Sequence, residues 1–293
     1  MGCFQALMGK LRALALGYLW LAASVTLAAQ APGGNVPELA SESGGTFNPV
    51  AREELNQGIA AYKNAHYDEA ISRFERALQI EPGSEVAAKY LGTAWAQQVV
   101  PGLDTPDNLN GAGRAITIFR RILDKSPHDA DSMKQIAAID FSIKNFDEAK
   151  EWQKRVLNEE PGSAEAAYMV GVIDWTLAHQ NVLNVLQSAG LQDDGEGNRA
   201  ASPALLGEIK AQNFALVTEG LEYLTRAVDN RPDYEEAMIY LNLTYRRKAD
   251  VDCADESARE EDLAQAKEWT RKAMEQRAAG EQKRKAQAEP AHP

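Results

Sequence analysis

The residues best suited to chemistry in this chain are few and scattered. Four histidines, His66, His128, His179 and His292, lie far apart, and no pair has metal-ligand spacing. There is no glycine-rich phosphate loop, nucleophile elbow or H-E-x-x-H helix. The run Asp193-Asp194-Gly195-Glu196-Gly197-Asn198 begins like a calcium loop. Counted from Asp194, however, Arg199 stands where glycine is needed and Leu205 where the bidentate acid belongs, so a solvated acidic loop is expected. Asp140 and Asp174 hold matching places in two successive sequence units. Paired carboxylates do acid–base work only when burial splits their pKa values in a formed pocket. The plainer expectation is that each meets a Lys, an Arg or a backbone donor. Neither a cofactor nor a metal is expected, and the chain does not read as an enzyme.

The elements that must position these residues are helices. Ala, Leu, Glu, Gln and Lys dominate, and strand-forming runs bounded by turn residues are almost absent. Hydrophobic residues make up 44% of the 293, ordinary for a folded protein. The net charge of −12 argues against nucleic acid and against electrostatic adhesion to anionic lipid, since no basic stripe could neutralise phosphates.

Lys10 and Arg12 followed by the uncharged run from Ala13 to Ala29 read as an export leader, with small residues at Ala28, Ala29 and Ala31 for cleavage. The alternative is an uncleaved anchor at the lower length limit of a bilayer span. Residues 1–29 are thus expected to be a signal peptide and the protein to be periplasmic or secreted. Cys253 is then the sole cysteine of the mature chain, either a quiet loop thiol or an intermolecular link, and stability must come from packing. Residues 30–49, rich in Gly, Pro, Ser and Asn, read as a flexible linker, and 280–293 as a disordered tail.

Between them one pattern recurs. Tyr67-Asp68-Glu69-Ala70 leads through Phe74 and Ala77 to Pro82, and Phe146-Asp147-Glu148-Ala149 leads through Gln153 and Val156 to Pro161. Shorter versions end at Pro127 and Pro232. On these residues the chain resembles the tetratricopeptide repeat (TPR) family, whose unit is about 34 residues of paired antiparallel helices. The resemblance implies an all-α, right-handed superhelical solenoid of about five units, at 51–84, 85–129, 130–163, 164–234 and 235–279. Gly58, Gly92, Ala137 and Gly171 recur where the two helices of a unit approach closely, and each proline stops a second helix. Units two, four and five carry extra residues. In the fourth, the first helix is expected to run on through Val182, Leu183 and Leu186, a loop to occupy 190–201, and Ser202-Pro203 to cap a long helix ending near Asn230.

In this family the first helices of successive units line a concave face. Transferred by resemblance, the ligand-touching positions are Tyr62, Lys63, Lys89, Phe141, Tyr168, Trp175, Arg246 and Arg247. Tyr62 and Trp175 border both groove and core. Leu55 and Ile59 replace the Lys and Asn of members that grip a terminal carboxylate, so that mode is not implied. Asn242-Leu243-Thr244 matches a glycosylation sequon but falls at a close-packed position. The expected function is a non-catalytic scaffold that binds a protein or extended peptide in the groove. Alternatives are an accessory envelope enzyme using Asp140 and Asp174, or self-assembly through Val182, Leu183, Leu186, Leu205 and Ile209 of the fourth unit.

Overall fold

The computed structural model describes residues 48–288, so the leader, most of the linker and residues 289–293 lie outside it. Among the described residues all regular structure is helical. Ten helices follow one another: α1 (Pro49–Lys63), α2 (Tyr67–Ile80), α3 (Glu85–Gln97), α4 (Pro106–Lys125), α5 (Ala130–Ser142), α6 (Phe146–Glu159), α7 (Ala164–Ser188), α8 (Pro203–Asn230), α9 (Glu235–Val251) and α10 (Glu256–Ala288). Packed contacts join α1 to α2, α5 to α6, α7 to α8 and α9 to α10. None of them is long and apolar enough to cross a membrane.

The helix starts have local causes. Asn48 accepts from the Val50 amide at 2.9 Å and Pro49 occupies the first turn, so α1 begins inside the segment read as linker. Two residues after each of Pro82, Pro127 and Pro161, a short polar side chain caps the next helix. Ser84 accepts from the Ala87 amide at 3.2 Å, Asp129 from Ser132 at 3.0 Å and Ser163 from Ala166 at 3.2 Å. Each proline therefore ends one helix while the residue after next starts another. The turns inside the first and third units use a left-handed residue that is not glycine, Ala65 (φ 59°) and Lys144 (φ 62°). There the His66 amide reaches the Ala61 carbonyl at 2.9 Å and the Asn145 amide reaches Asp140 at 2.8 Å, which closes each helix end.

The chain forms two compact units. The first comprises the described residues up to Val100 together with 105–118, and the second 101–104 together with 119–288, so the division falls within α4. In the first, Leu55, Phe74, Ala70, Ala77, Tyr90 and Ala94 form the core. Phe74 stacks on Tyr90 at 5.5 Å and fills the space left by Gly58, where a Cβ would sit 2.5 Å from the ring.

In the second unit α7 and α8 are elongated as expected, and together make a long hairpin. Near its base, a Cβ on Gly171 would lie 2.4 Å from Leu224 Cγ and 3.1 Å from the Gly220 carbonyl, so the helices meet almost backbone to backbone. Midway, buried Asn213 donates to the Ala178 carbonyl at 2.9 Å and accepts from Asn181 at 2.9 Å, which locks the register. At the tip Val182, Leu186 and Ile209 bury one another, with Leu205 packed beside them. The residues expected to drive self-assembly are therefore covered within the hairpin, with the exception of Leu183, which stays 42% exposed.

A second correction concerns the tail. α10 continues to Ala288, past Gly280, so residues 280–288 are helical where disorder was expected. The run of Ala, Gln, Lys, Arg and Glu that suggested a frayed end also has high helix propensity. Residues 289–293 lie outside the described part.

Gly171→Ala is expected to lower unfolding stability by about 1–3 kcal/mol through overpacking. Gly113→Ala, at an open position of α4 with no atom near the added methyl, is expected to raise it by up to about 1 kcal/mol. Urea titrations of the two variants, read side by side, check the pair.

Candidate functional site

The residues transferred from the family pattern fall in both compact units. In the first compact unit, Tyr62 is 8% exposed and packs on Tyr67 and Tyr90 at 5.6 and 6.3 Å, so it belongs to the core. Burial pushes its hydroxyl above the usual tyrosine range. Lys63 is exposed at the end of α1, and Lys89 pairs with Glu85 one turn earlier at 3.2 Å. In the second unit, Phe141 lies half-buried against Phe146 at 5.4 Å.

Tyr168 and Trp175 do come together, whereas Arg246 lies farther along α9 against Gly195. Tyr168 and Trp175 project from α7 two turns apart, and both pack edge-on against Tyr240 of α9, at 5.6 and 5.2 Å. Tyr234, just before α9, completes the group at 5.0 Å from Tyr168, and Arg231 lies over its ring at 3.3 Å. His179, one turn beyond Trp175, stacks on the indole at 5.0 Å and 11°. Burial and neighbouring rings push the Tyr168 hydroxyl far up, and burial pushes Tyr234 to about 12, so both remain neutral donors. The result is a half-buried aromatic strip along α7 and α9.

Arg247 is the correction to the groove assignment. It is 4% exposed, and its guanidinium faces inward to Asp193 at 3.0 Å and to Asp250 at 3.2 Å. Its partner Asp193 belongs to the loop between α7 and α8, which folds onto the C-terminal half of α9. Arg246 donates to the Gly195 carbonyl at 3.0 Å, Asn198 donates to Asp250 at 2.8 Å, and Arg259 of α10 donates to the Glu196 carbonyl at 3.0 Å. The acidic run is therefore not simply solvated. Its side chains cap its own backbone: Asp193 takes the Gly195 amide at 3.0 Å, and Asp194 takes those of Glu196 and Asn198 at 2.7 and 2.9 Å. Asn198 (φ 51°) and Gly197 (φ 99°) supply the left-handed turn. Arg247 holds the Asp193 carboxyl below the usual range, whereas complete burial drives Asp250 up to about 7. His179 is pushed down by burial and by Arg247.

The carboxylates proposed for acid–base work do not share a pocket. Asp140 accepts from Asn145 at 3.1 Å, closing its own turn. Asp174, fully buried beside Gly220, pairs with Lys150 of α6 at 2.7 Å, and Lys150 reaches on to Glu219 of α8 at 2.9 Å. Lys154 bonds the same Glu219 at 2.7 Å. This chain of charges ties α6, α7 and α8 together. Burial, with the Glu219 charge nearby, pushes Asp174 to about 7 despite the lysine. Asn242, in the sequon, directs its amide inward to Ala266 and Thr270 at 2.6 and 2.7 Å. Cys253 is a partly buried free thiol in the turn after α9.

The family pattern did not select Tyr234, Tyr240, His179 or Arg259. The signal that was available is charge complementarity between Asp193-Asp194 and Arg246-Arg247.

Ten helices joined by proline-terminated turns, with glycine at the crossings of α1 with α2 and of α7 with α8, define the all-α TPR type of fold. Solved structures of MamA, proteins of that type, have the same fold. MamA of Desulfovibrio magneticus RS-1, from its residue 41 to its end, aligns over 80% of this chain and 98% of its own, at TM-score 0.54 and 18% identity. A MamA double mutant from RS-1 aligns over the same shares at TM-score 0.55 and 17% identity. Another MamA crystal structure aligns over 83% of this chain and 98% of its own, at TM-score 0.52 and 15% identity. No family model and no curated protein matches the sequence.

Two outcomes follow from the buried charges. Lys150→Met strands Asp174 and is expected to cost about 3–5 kcal/mol, whereas Asp174→Asn, which leaves Lys150 its Glu219 partner, should cost clearly less. Denaturant curves at pH 7.5 separate the two. The second outcome concerns pH. Asp174 and Asp250 have folded pKa values near 7, above an unfolded value near 3.8, so the folded state holds more protons between those limits. Stability should therefore fall as pH rises through 7, by about 0.5–1 kcal/mol per site between pH 6.5 and 8. His179, shifted downward, opposes this trend only as pH drops through its unfolded value near 6.5. Asp174→Asn should flatten the slope.

Proposed function

We propose that this chain is an exported, non-catalytic scaffold that holds a protein or extended peptide against the aromatic face of α7 and α9. The leader pattern around Lys10, Arg12 and the apolar run to Ala29 supports export. TPR-type neighbours support an interaction role. The observation that carries the reading is the strip itself: Tyr168, Trp175 and Tyr240 are held by one another in fixed orientation, half-buried, with Arg246 farther along α9. Aromatic and arginine anchors fixed before binding are the usual centres of interface energy, because little side-chain freedom remains to be lost.

No observation favours the enzyme reading, since Asp140 and Asp174 are each engaged separately. Self-assembly through the fourth unit loses its motive with Val182, Leu186 and Ile209 covered.

Capture from envelope extracts with the immobilised chain, quantified by mass spectrometry, tests the proposal. Trp175→Ala and Tyr168→Ala are each expected to weaken capture at least tenfold, which corresponds to about 1.4 kcal/mol or more. Capture unchanged by both substitutions, in variants that melt like the parent, would sink the assignment of this face.

A further inference from the structure

The loop between α7 and α8 sits on α9 in an unusual way. Its ends are anchored by apolar contact, Leu191 and Ala201 packing into the hairpin tip. The stretch between them, Asp193 to Asn198, is held only by polar groups: the Asp193 carboxylate on Arg247 at 3.0 Å, two carbonyls on Arg246 and Arg259 at 3.0 Å each, and Asn198 on Asp250 at 2.8 Å. This middle stretch can lift without taking an apolar side chain out of a core. Beneath it the polar pairing is incomplete. Arg247 Nη1 and Asp250 Oδ2 lie 3.2 Å apart without a hydrogen bond, and neither has another partner. His179 Nδ1 faces Asp193 at 3.8 Å, also without one. The loop thus brings a carboxylate and two backbone carbonyls to three arginines, as a bound acidic peptide would.

We propose that this loop is an internal, displaceable occupant of a binding site for an acidic peptide segment. This rests on the scaffold reading above and names the partner's chemistry. A partner presents an aspartate or glutamate followed by a tight, small-residue turn. Its carboxylate takes the place of Asp193 on Arg247, and its carbonyls take Arg246 and Arg259. The polar stretch lifts, and the ring of His179 beside Trp175 becomes open to the incoming chain. Binding is weaker than the contacts alone would give, because the loop must first be displaced.

The test uses the full chain and a fluorescein-labelled peptide copying residues 190–200, read by anisotropy. Gly197→Ala lifts the loop without changing any charge, since its methyl would meet Arg259 Cδ at 2.7 Å and the Ala249 carbonyl at 3.2 Å, at a φ of 99°. Asp193→Ala removes the internal carboxylate and serves as a second route should the first variant fold poorly by circular dichroism. Cleavage by a glutamate-specific protease at Glu196 reports lifting. The expected result is faster cleavage at Glu196 and at least tenfold tighter peptide binding than the parent in one or both variants. That binding should weaken with salt and be lost when Arg246→Gln is added. Lifting without tighter binding, binding insensitive to Arg246→Gln, or no lifting in either variant would each overturn the proposal. Should it fail while partner capture still depends on Trp175, the scaffold reading stands. Peptide binding with no Trp175-dependent capture would leave the loop assignment and remove the scaffold reading.

Discussion

The second compact unit depends on how closely α7 and α8 cross. With glycine at 171 and at 220, the two backbones approach until Leu224 fills the place of a missing methyl. That contact sets the axis of the long hairpin, and two polar devices follow from it. At the crossing, Asp174 is sealed off from water and must be met by Lys150, which recruits Glu219 and so joins α6 to both arms. Farther along, Asn213 joins the arms by side-chain hydrogen bonds where no water can serve. With the arms fixed, the apolar tip closes on itself and the loop is delivered onto α9 rather than into solvent.

The elongation of α7 therefore has two effects on the face it shares with α9. It extends the aromatic strip by a turn, adding His179 to Trp175. It also carries an acidic segment back over the arginines at the end of that strip. Here one of them has become structural, and Arg247 has more in common with a core residue than with a groove residue.

Much of the architecture was legible from the residues. The repeated prolines, the small residues at crossings and the Ser202-Pro203 start of α8 carry strong local physics, and α7, the loop at 190–201 and α8 lie where the sequence places them. The candidate site was legible only in part. Tyr168 and Trp175 come from the resemblance to the TPR pattern, but whether a residue at the groove edge faces ligand or core depends on what covers it. For Arg247 the cover is an insertion some fifty residues away, invisible to any periodic pattern. The tail beyond Gly280 misled for a different reason, since a polar composition that suggests disorder also favours helix, and α10 continues through it.

The central claim is that the α7 and α9 face is where this chain meets its partner. Hydrogen exchange of the full chain, alone and with a captured partner bound, tests it most directly. The account predicts added protection over 168–179 and 240–247, with 193–198 exchanging faster as the loop is displaced. Protection confined to other helices, with these three segments unchanged, would contradict it.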